Sequence, residues 1–255
     1  MSSLTNAMLK AERHSFILHQ LNIYNRILSS DLSQKLNVSE DTIRRDLNEL
    51  ADSGQLIKVH GGALSRSYGH IATRSEVYAT NQKDIIAQKT LSLIREGMFL
   101  LLGGGTTVRS LVRMIPSHLR LTIFTISPVI ALELIENPNL EVYLLGGRVT
   151  AENQICSGGE VIHRLSEIRV DLLILGTTGI DAVQGLTESD MEVVQVKKAM
   201  MKSADQVAIL TISEKLGTSH RMKLCDLGSI QTLITELEPQ DASLQMYAKA
   251  GLTLL

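Results

Sequence analysis

Apolar residues recur at helical spacing through residues 39–53, SEDTIRRDLNELADS, where Ile43, Leu47 and Leu50 fall at i, i+4 and i+7. Ser39 precedes this stripe as an N-cap candidate. Glu40 and Asp41 put negative charge in the first turn, where the helix dipole favours it, and Gly54 follows as a stop. With the stripe buried, Asp41, Arg45 and Asn48 face outward, flanked by Thr42 and Arg44. Upstream, Leu32 and Leu36 form an i, i+4 pair on a shorter helix, Ser30 to Leu36. Asn37-Val38 is the join, because Asn tolerates the left-handed conformation of a tight turn. Phe16, Ile17 and Leu21 predict a first helix from Ala11 to Tyr24. After Gly54, QLIKVHGGAL alternates like a strand, turns at Gly61-Gly62 and returns. Helices followed by such a hairpin predict a winged helix-turn-helix over residues 1–64.

The period then changes. Ser65 to Thr80 is polar, without a sustained period, and reads as a linker. Over residues 81–255, a helix from Lys83 to Glu96 precedes nearly continuous apolar strands alternating with helices. The strands are Met98–Leu102, Leu121–Ile126, Glu141–Leu145, Asp171–Leu175, Gln206–Ile212 and Gln231–Thr235. The longest later helix runs from Ser189 to Ala204. The fold class is therefore α/β, with a mostly parallel sheet covered on both faces.

Composition narrows the partners. With 255 residues and 44% hydrophobic content, the chain can form two domains with real cores. The formal net charge of −2 counts against bulk electrostatic binding to DNA but not against a reader whose few cations share one face. Arg66 and Arg74 are expected to extend that face. The two cysteines, Cys156 and Cys225, lack CxxC spacing, which fits a reduced cytoplasm. The histidines lack metal-ligand spacing, so no metal is expected. No apolar run approaches a membrane span, and the first residues lack a signal-peptide core.

Two sets of residues carry chemistry. On the helix of residues 39–53, Arg, Thr and Asn stand where a major groove offers phosphates and base edges. The candidates are Ser39, Thr42, Arg44, Arg45 and Asn48, with Lys58 and His60 on the wing. A single such helix reads a short site, so a homo-oligomer on double-stranded operator DNA is expected. In the α/β part, ligands sit beyond the C-terminal ends of strands. Gly104, Gly105, Thr106 and Thr107 combine exposed backbone, hydroxyls and a helix N-terminus, which suits a phosphate. Lys215 is the first choice of countercharge and Lys197 the second. Gly146, Gly147 and Gly179 would let backbone approach, and Asp181 would meet a hydroxyl. There is no G-x-x-x-x-G-K-[ST] or G-x-G-x-x-G pattern, so no nucleotide cofactor is expected.

The run SSDLSQKLNVSEDTIRRDLNELADSGQLIKVHGGA resembles the N-terminal domain of the DeoR family of bacterial transcription regulators. The match lies at Val38-Ser39, Thr42 to Leu47, Leu50 and His60 to Ala63. The resemblance continues to about Glu236 through Gly105-Thr106-Thr107, Leu145-Gly146-Gly147, Gly176 to Asp181, Val196 to Met200, Ser213 and Lys215 to Gly217. It implies a sensor domain similar to the sugar-phosphate isomerase fold. It also implies a repressor whose effector is a phosphorylated sugar or related anionic metabolite. The chain departs from the family at Gly103 and Ile212, usually Asp, and at Ile126, usually Asn. Those departures put an ordinary hydroxyl-rich effector in doubt. The rival reading is a sugar-phosphate-processing enzyme with an attached winged helix. It would need a general base among Asp181, Glu188, Asp190, Glu192 and Glu214.

Overall fold

The computed structural model describes residues 8–24, 26–65, 78–150 and 154–255. The chain divides into two compact units, Met1–Tyr78 and Ala79–Leu255. Most of the expected linker, with Arg66 and Arg74, lies outside the described residues.

The first unit runs α1 (Lys10–Tyr24), β1 (Arg26–Leu28), α2 (Ser29–Leu36), α3 (Glu40–Asp52), β2 (Leu56–Val59) and β3 (Gly62–Ser65). Its core joins Ile17 and Leu21 of α1, Leu32 of α2, Ile43, Leu47 and Leu50 of α3, and Leu56 of the wing. Each such side chain contributes roughly 1.5–3 kcal/mol when fully buried. The stripe read from the sequence is thus what docks α3. Asn37 takes the left-handed conformation, φ 51° and ψ 46°, and its N–H donates to the Ser33 carbonyl, closing α2. The Ser39 hydroxyl accepts from the Thr42 N–H and starts α3.

Strand β1 was not expected. Three residues are too short to show alternation, and the strand exists because β3 offers it an edge, in the order β1-β3-β2. A Cβ at Gly62 would lie 2.0 Å from the Ile27 carbonyl oxygen, so glycine is what lets β1 and β3 approach.

The second unit runs α4 (Thr80–Leu91), β4 (Phe99–Leu102), α5 (Thr106–Met114), β5 (Leu121–Thr125), α6 (Pro128–Leu134) and β6 (Leu140–Leu144). A short hairpin, β7 (Arg148–Val149) and β8 (Cys156–Ser157), leads to α7 (Gly159–Ser166) and β9 (Val170–Gly176). Then come β10 (Gly179–Asp181), β11 (Gly185–Glu188), α8 (Met191–Lys202), β12 (Ala204–Leu210), β13 (Met222–Cys225), β14 (Thr232–Ile234), α9 (Gln245–Lys249) and β15 (Thr253–Leu254). Seven strands form one parallel sheet in the order β15-β14-β12-β9-β4-β5-β6. Leu101 and Leu173, on adjacent central strands, are fully buried, as a sheet covered on both faces requires.

In the second unit the sequence reading differs from this fold at further places, the β7–β8 pair among them. Helix α4 begins at Thr80 and ends at Leu91, well before the expected Glu96. Strands β10, β11 and β13 form a separate antiparallel sheet that was not expected. The last residues add β15 to the sheet edge, tied by Tyr247, whose hydroxyl donates to the Ile180 carbonyl and accepts from the Gly217 N–H. Among the described residues, no helix is long and apolar enough to cross a membrane.

Candidate functional site

Burial sorts α3 into two faces. Arg44, Arg45 and Asn48 are exposed, and Thr42 is half-buried beside the exposed cap Ser39. Lys58 and His60 are exposed on the wing. The Lys58 ammonium donates to the Asn48 side-chain oxygen, so wing and helix meet through two of the expected contacts. Arg44 keeps a loose ion pair with Asp41 at 3.6 Å. Arg45 and the Arg44 guanidinium therefore stand on the surface with little else to hold them.

Sequence reasoning missed what holds this helix in place. Asp46 is buried and takes two hydrogen bonds from Arg13 of α1, Nε at 2.5 Å and Nη2 at 3.0 Å. His14 adds a third contact at 3.1 Å. Burial alone would raise the Asp46 carboxyl, but the bonds from Arg13 and His14 outweigh it and hold the group below the usual carboxylate range. A signal was present, because Asp46 sits three residues after Ile43, on the buried stripe.

In the second unit, the ends of β4 and β9 meet. A Cβ on Gly176 would lie 3.8 Å from the Gly104 carbonyl oxygen. Gly105, at φ 104°, precedes α5 without a side-chain cap, and Thr106 and Thr107 open the helix. Lys197 of α8 donates to the Gly176 carbonyl at 2.9 Å and forms an ion pair with Glu188. Lys215, on the turn after β12, donates to the Thr177 carbonyl at 2.9 Å. The Thr178 hydroxyl donates to the other Glu188 oxygen. The structure thus brings Gly104 to Thr107, Lys197 and Lys215 to neighbouring strand ends. Lys197, though in the middle of a helix, has a side chain only 13% exposed.

A third lysine feels the Lys215 charge. Lys83, in the first turn of α4, is buried. Burial and the neighbouring Lys215 charge lower its pKa to about 7, against the opposing pull of Glu214. Burial likewise lowers Lys215 to about 8, with Glu188 raising and Lys197 lowering it. The sequence signal for Lys83 was its place on the stripe it shares with Ile86, Ala87 and Thr90, at i, i+3, i+4 and i+7. The turn carrying Lys215 is braced by Glu236, which accepts from both the Ser213 N–H and hydroxyl.

Other expected residues have structural employment. At Gly147, the space of a Cβ is filled by Val161 and the Ser157 carbonyl, and at Gly179 by the Thr218 carbonyl, 2.9 Å away. At those two positions, and at Gly104, where a Cβ would meet Ile155 at 2.7 Å, the close approach comes from the protein itself. Gly146 has open space. Asp181 accepts from the Val183 and Gln184 N–H groups and shapes the β10–β11 turn. Among the other carboxylates weighed as bases, Asp190 caps α8 and Glu192 pairs with Arg148. At the departures, Ile126 and Ile212 are buried, and a Cβ on Gly103 would meet Leu175 at 2.7 Å. Apolar packing occupies that ground.

An exposed recognition helix with its wing, joined in one chain to an α/β domain with cations at its strand ends, defines a DNA-binding regulator with a sensor module. Two family models match this chain: a DeoR-like helix-turn-helix domain over residues 13–68 and a DeoR C-terminal sensor domain over residues 78–237. The HTH-type transcriptional repressor GlcR of Bacillus subtilis is 33% identical, covering 97% of this chain and 96% of its own. The glycerol-3-phosphate regulon repressor of Escherichia coli is 27% identical over 94% and 96%. A solved ribose 5-phosphate isomerase from Methanocaldococcus jannaschii is 17% identical, with a TM-score of 0.39 over 52% of this chain and 53% of its own. The chain belongs to the DeoR family and is a helix-turn-helix transcriptional regulator.

Proposed function

We propose that the protein is a cytoplasmic, non-enzymatic repressor whose operator affinity is set by a phosphorylated sugar or related anionic metabolite bound at the strand ends of the second unit. The observation that carries this is the convergence of Lys197 and Lys215 on the Gly176 and Thr177 carbonyls, at the strand end that meets Gly104. The phosphate would lie on Gly104, Gly105, Thr106 and Thr107, with Lys215 and Lys83 as countercharges. A relative named as a glycerol-3-phosphate regulon repressor supports a small phosphorylated ligand. The apolar packing at Gly103, Ile126 and Ile212 favours a ligand with few hydroxyls over a hexose phosphate.

A thermal-shift screen of inorganic phosphate, glycerol 3-phosphate and hexose phosphates tests this reading. The wild type should be stabilised by at least one anion, and Thr106→Ala/Lys215→Ala should lose the response. An equal response from the double variant would refute the site.

On DNA, Arg44 and Arg45 should contact phosphates or guanine edges, with Ser39, Thr42 and Asn48 beside them and Lys58 and His60 on the wing. Arg45→Ala should cost roughly 1–3 kcal/mol and relax specificity at one base pair if it reads a base. If it meets only phosphate, affinity should fall alike for all sequences. Arg44→Ala/Arg45→Ala binding the selected duplex as tightly as wild type, by fluorescence anisotropy, would contradict this docking.

Function as a homo-oligomer follows from the short reach of one α3. Exposed Tyr143 and Leu144 on the edge strand β6, with Leu132 and Ile135 exposed in and just after α6, support a pairing surface in the second unit. Sedimentation should show an oligomer at micromolar concentration. A monomer that remains monomeric on its operator would overturn this.

A further inference from the structure

Strand β6 is one edge of the parallel sheet, and among the described residues no strand lies on its other side. It keeps an unbroken register with β5, from Leu121 opposite Leu140 to Thr125 opposite Leu144. Natural edge strands that face water are blunted by lysine, proline or a bulge. The β6 sequence, LEVYL, has none of these, and its one charge is Glu141. Tyr143 and Leu144 are exposed on it. Helix α6 packs beside β6, with Leu132 and Ile135 exposed at its end.

The pattern along β6 is self-complementary. Leu140, Val142 and Leu144 share one face of the strand, and Glu141 and Tyr143 share the other. On that second face Tyr143 stacks on Phe124 of β5, with ring centroids 5.0 Å apart, and its hydroxyl donates to Glu141 at 2.6 Å. The Leu145 N–H donates to the Thr125 carbonyl, so by alternation Val142 turns its own N–H and carbonyl to the free edge. Antiparallel pairing of two β6 strands about a two-fold axis at Val142 lets the two valines exchange both backbone bonds. Leu140 then meets Leu144, and Glu141 meets Tyr143, on both sides of the axis. An axis at Glu141 would set two carboxylates opposite each other, which is destabilising. An axis at Tyr143 would set Glu141 against the apolar Leu145.

We propose that β6 pairs in this register with β6 of a second copy of the chain, joining two seven-stranded sheets into one, with Leu132 and Ile135 of each copy beside the seam. The proposal rests on the homo-oligomer reading above and names its surface. One strand serves both copies, as an isologous two-fold contact requires. The pairing also closes the edge, so no further copy can add to the sheet on that side.

The experiment uses the full chain at micromolar concentration, with oxidative cross-linking and sedimentation as readouts. In the proposed register the two Cα atoms at position 142 lie about 5.5 Å apart, within the disulfide range of about 4.4–6.8 Å. Those at position 143 are offset by two residues along the strands and lie roughly 8 Å apart, beyond that range. Val142→Cys should therefore cross-link and Tyr143→Cys should not, with the wild type, which carries Cys156 and Cys225, as the blank. Glu141→Lys/Tyr143→Lys sets like charges at both cross-strand pairs and should weaken self-association roughly tenfold. Glu141→Lys/Tyr143→Glu restores opposite charges and should recover most of that loss. Tyr143→Cys cross-linking as readily as Val142→Cys would overturn the register. An oligomer in which neither cysteine cross-links and the double lysine variant associates like the wild type would overturn the β6 surface and leave the oligomer standing. A wild type that stays monomeric, alone and on its operator, would remove the oligomer and this surface with it.

Discussion

Arg13→Ala should destabilise the N-terminal unit by roughly 3–5 kcal/mol, because it leaves a buried carboxylate without its main partner. Asp46 is almost wholly buried on the core face of α3, and Arg13 covers it with two hydrogen bonds. His14 alone remains after the substitution. Domains hold only about 0.05–0.15 kcal/mol per residue in reserve, so a unit of this size stands to lose most of its stability. DNA affinity should fall with it, since Arg44, Arg45 and Asn48 depend on the docking of α3. The pair itself is not the source of the stability. Arg13→Met/Asp46→Leu should recover most of the loss, because an apolar pair carries no desolvation cost.

The pH dependence has a definite sign. Asp46 is held below its ordinary value in the fold, so its contribution is present above the unfolded carboxylate pKa and is lost as pH falls through the lower folded value. Chemical denaturation with a probe in the first unit, at neutral pH and in acid, measures both effects. An Arg13→Ala domain as stable as wild type would show that Asp46 is solvated in solution.

The second large effect concerns the lysines. Burial lowers Lys83 to about 7 and Lys215 to about 8. Raising the pH through these values removes the two charges, so anion binding should weaken from pH 6.5 to 9. A phosphate monoester has its second pKa near 6, so above pH 7 the ligand's own titration does not oppose this trend. The groups facing these two lysines are Glu214 for Lys83, and Glu188 and Lys197 for Lys215. Binding should draw protons from solution near pH 8, measurable as a dependence of calorimetric heat on buffer ionisation enthalpy.

The stability of the unoccupied sensor domain moves the other way. Between the lowered folded values and an ordinary lysine pKa of about 10.4, the unfolded chain binds more protons. Stability should therefore rise with pH from about 7 to 10.4, and it is lost again as pH falls through the folded values. Anion affinity that stays flat from pH 6.5 to 9, in the wild type and in Lys83→Met alike, would remove the lysines from the site.

What the sequence by itself determined were the features set by local rules. The α3 stripe, its Ser39 cap, the left-handed Asn37 and the glycine turn of the wing each depend on neighbours a few residues away, and each stands where periodicity put it. The parallel sheet was legible for the same reason, since strands buried on both faces read as continuous apolar runs. The outward arginines followed once the inward stripe was known.

Tertiary structure decided which polar residues the core would claim and which glycines are packed against another segment. Asp46 and Lys83 lie on buried stripes, but only the elements packed over them decide whether such a charge is paired, displaced or neutralised. At Gly104, Gly147 and Gly179 alike, the chain passing over them (Ile155, Ser157 and Thr218) takes up the space that a glycine leaves, and no local pattern specifies which distant segment will cross there. Strands β1 and β15 are short segments whose conformation is set by the free edge each one joins. Spacing along the chain reports the face a residue shares with its neighbours. Which distant charge or backbone meets that face is settled by the fold, because burial and Coulomb energy depend on distance in space.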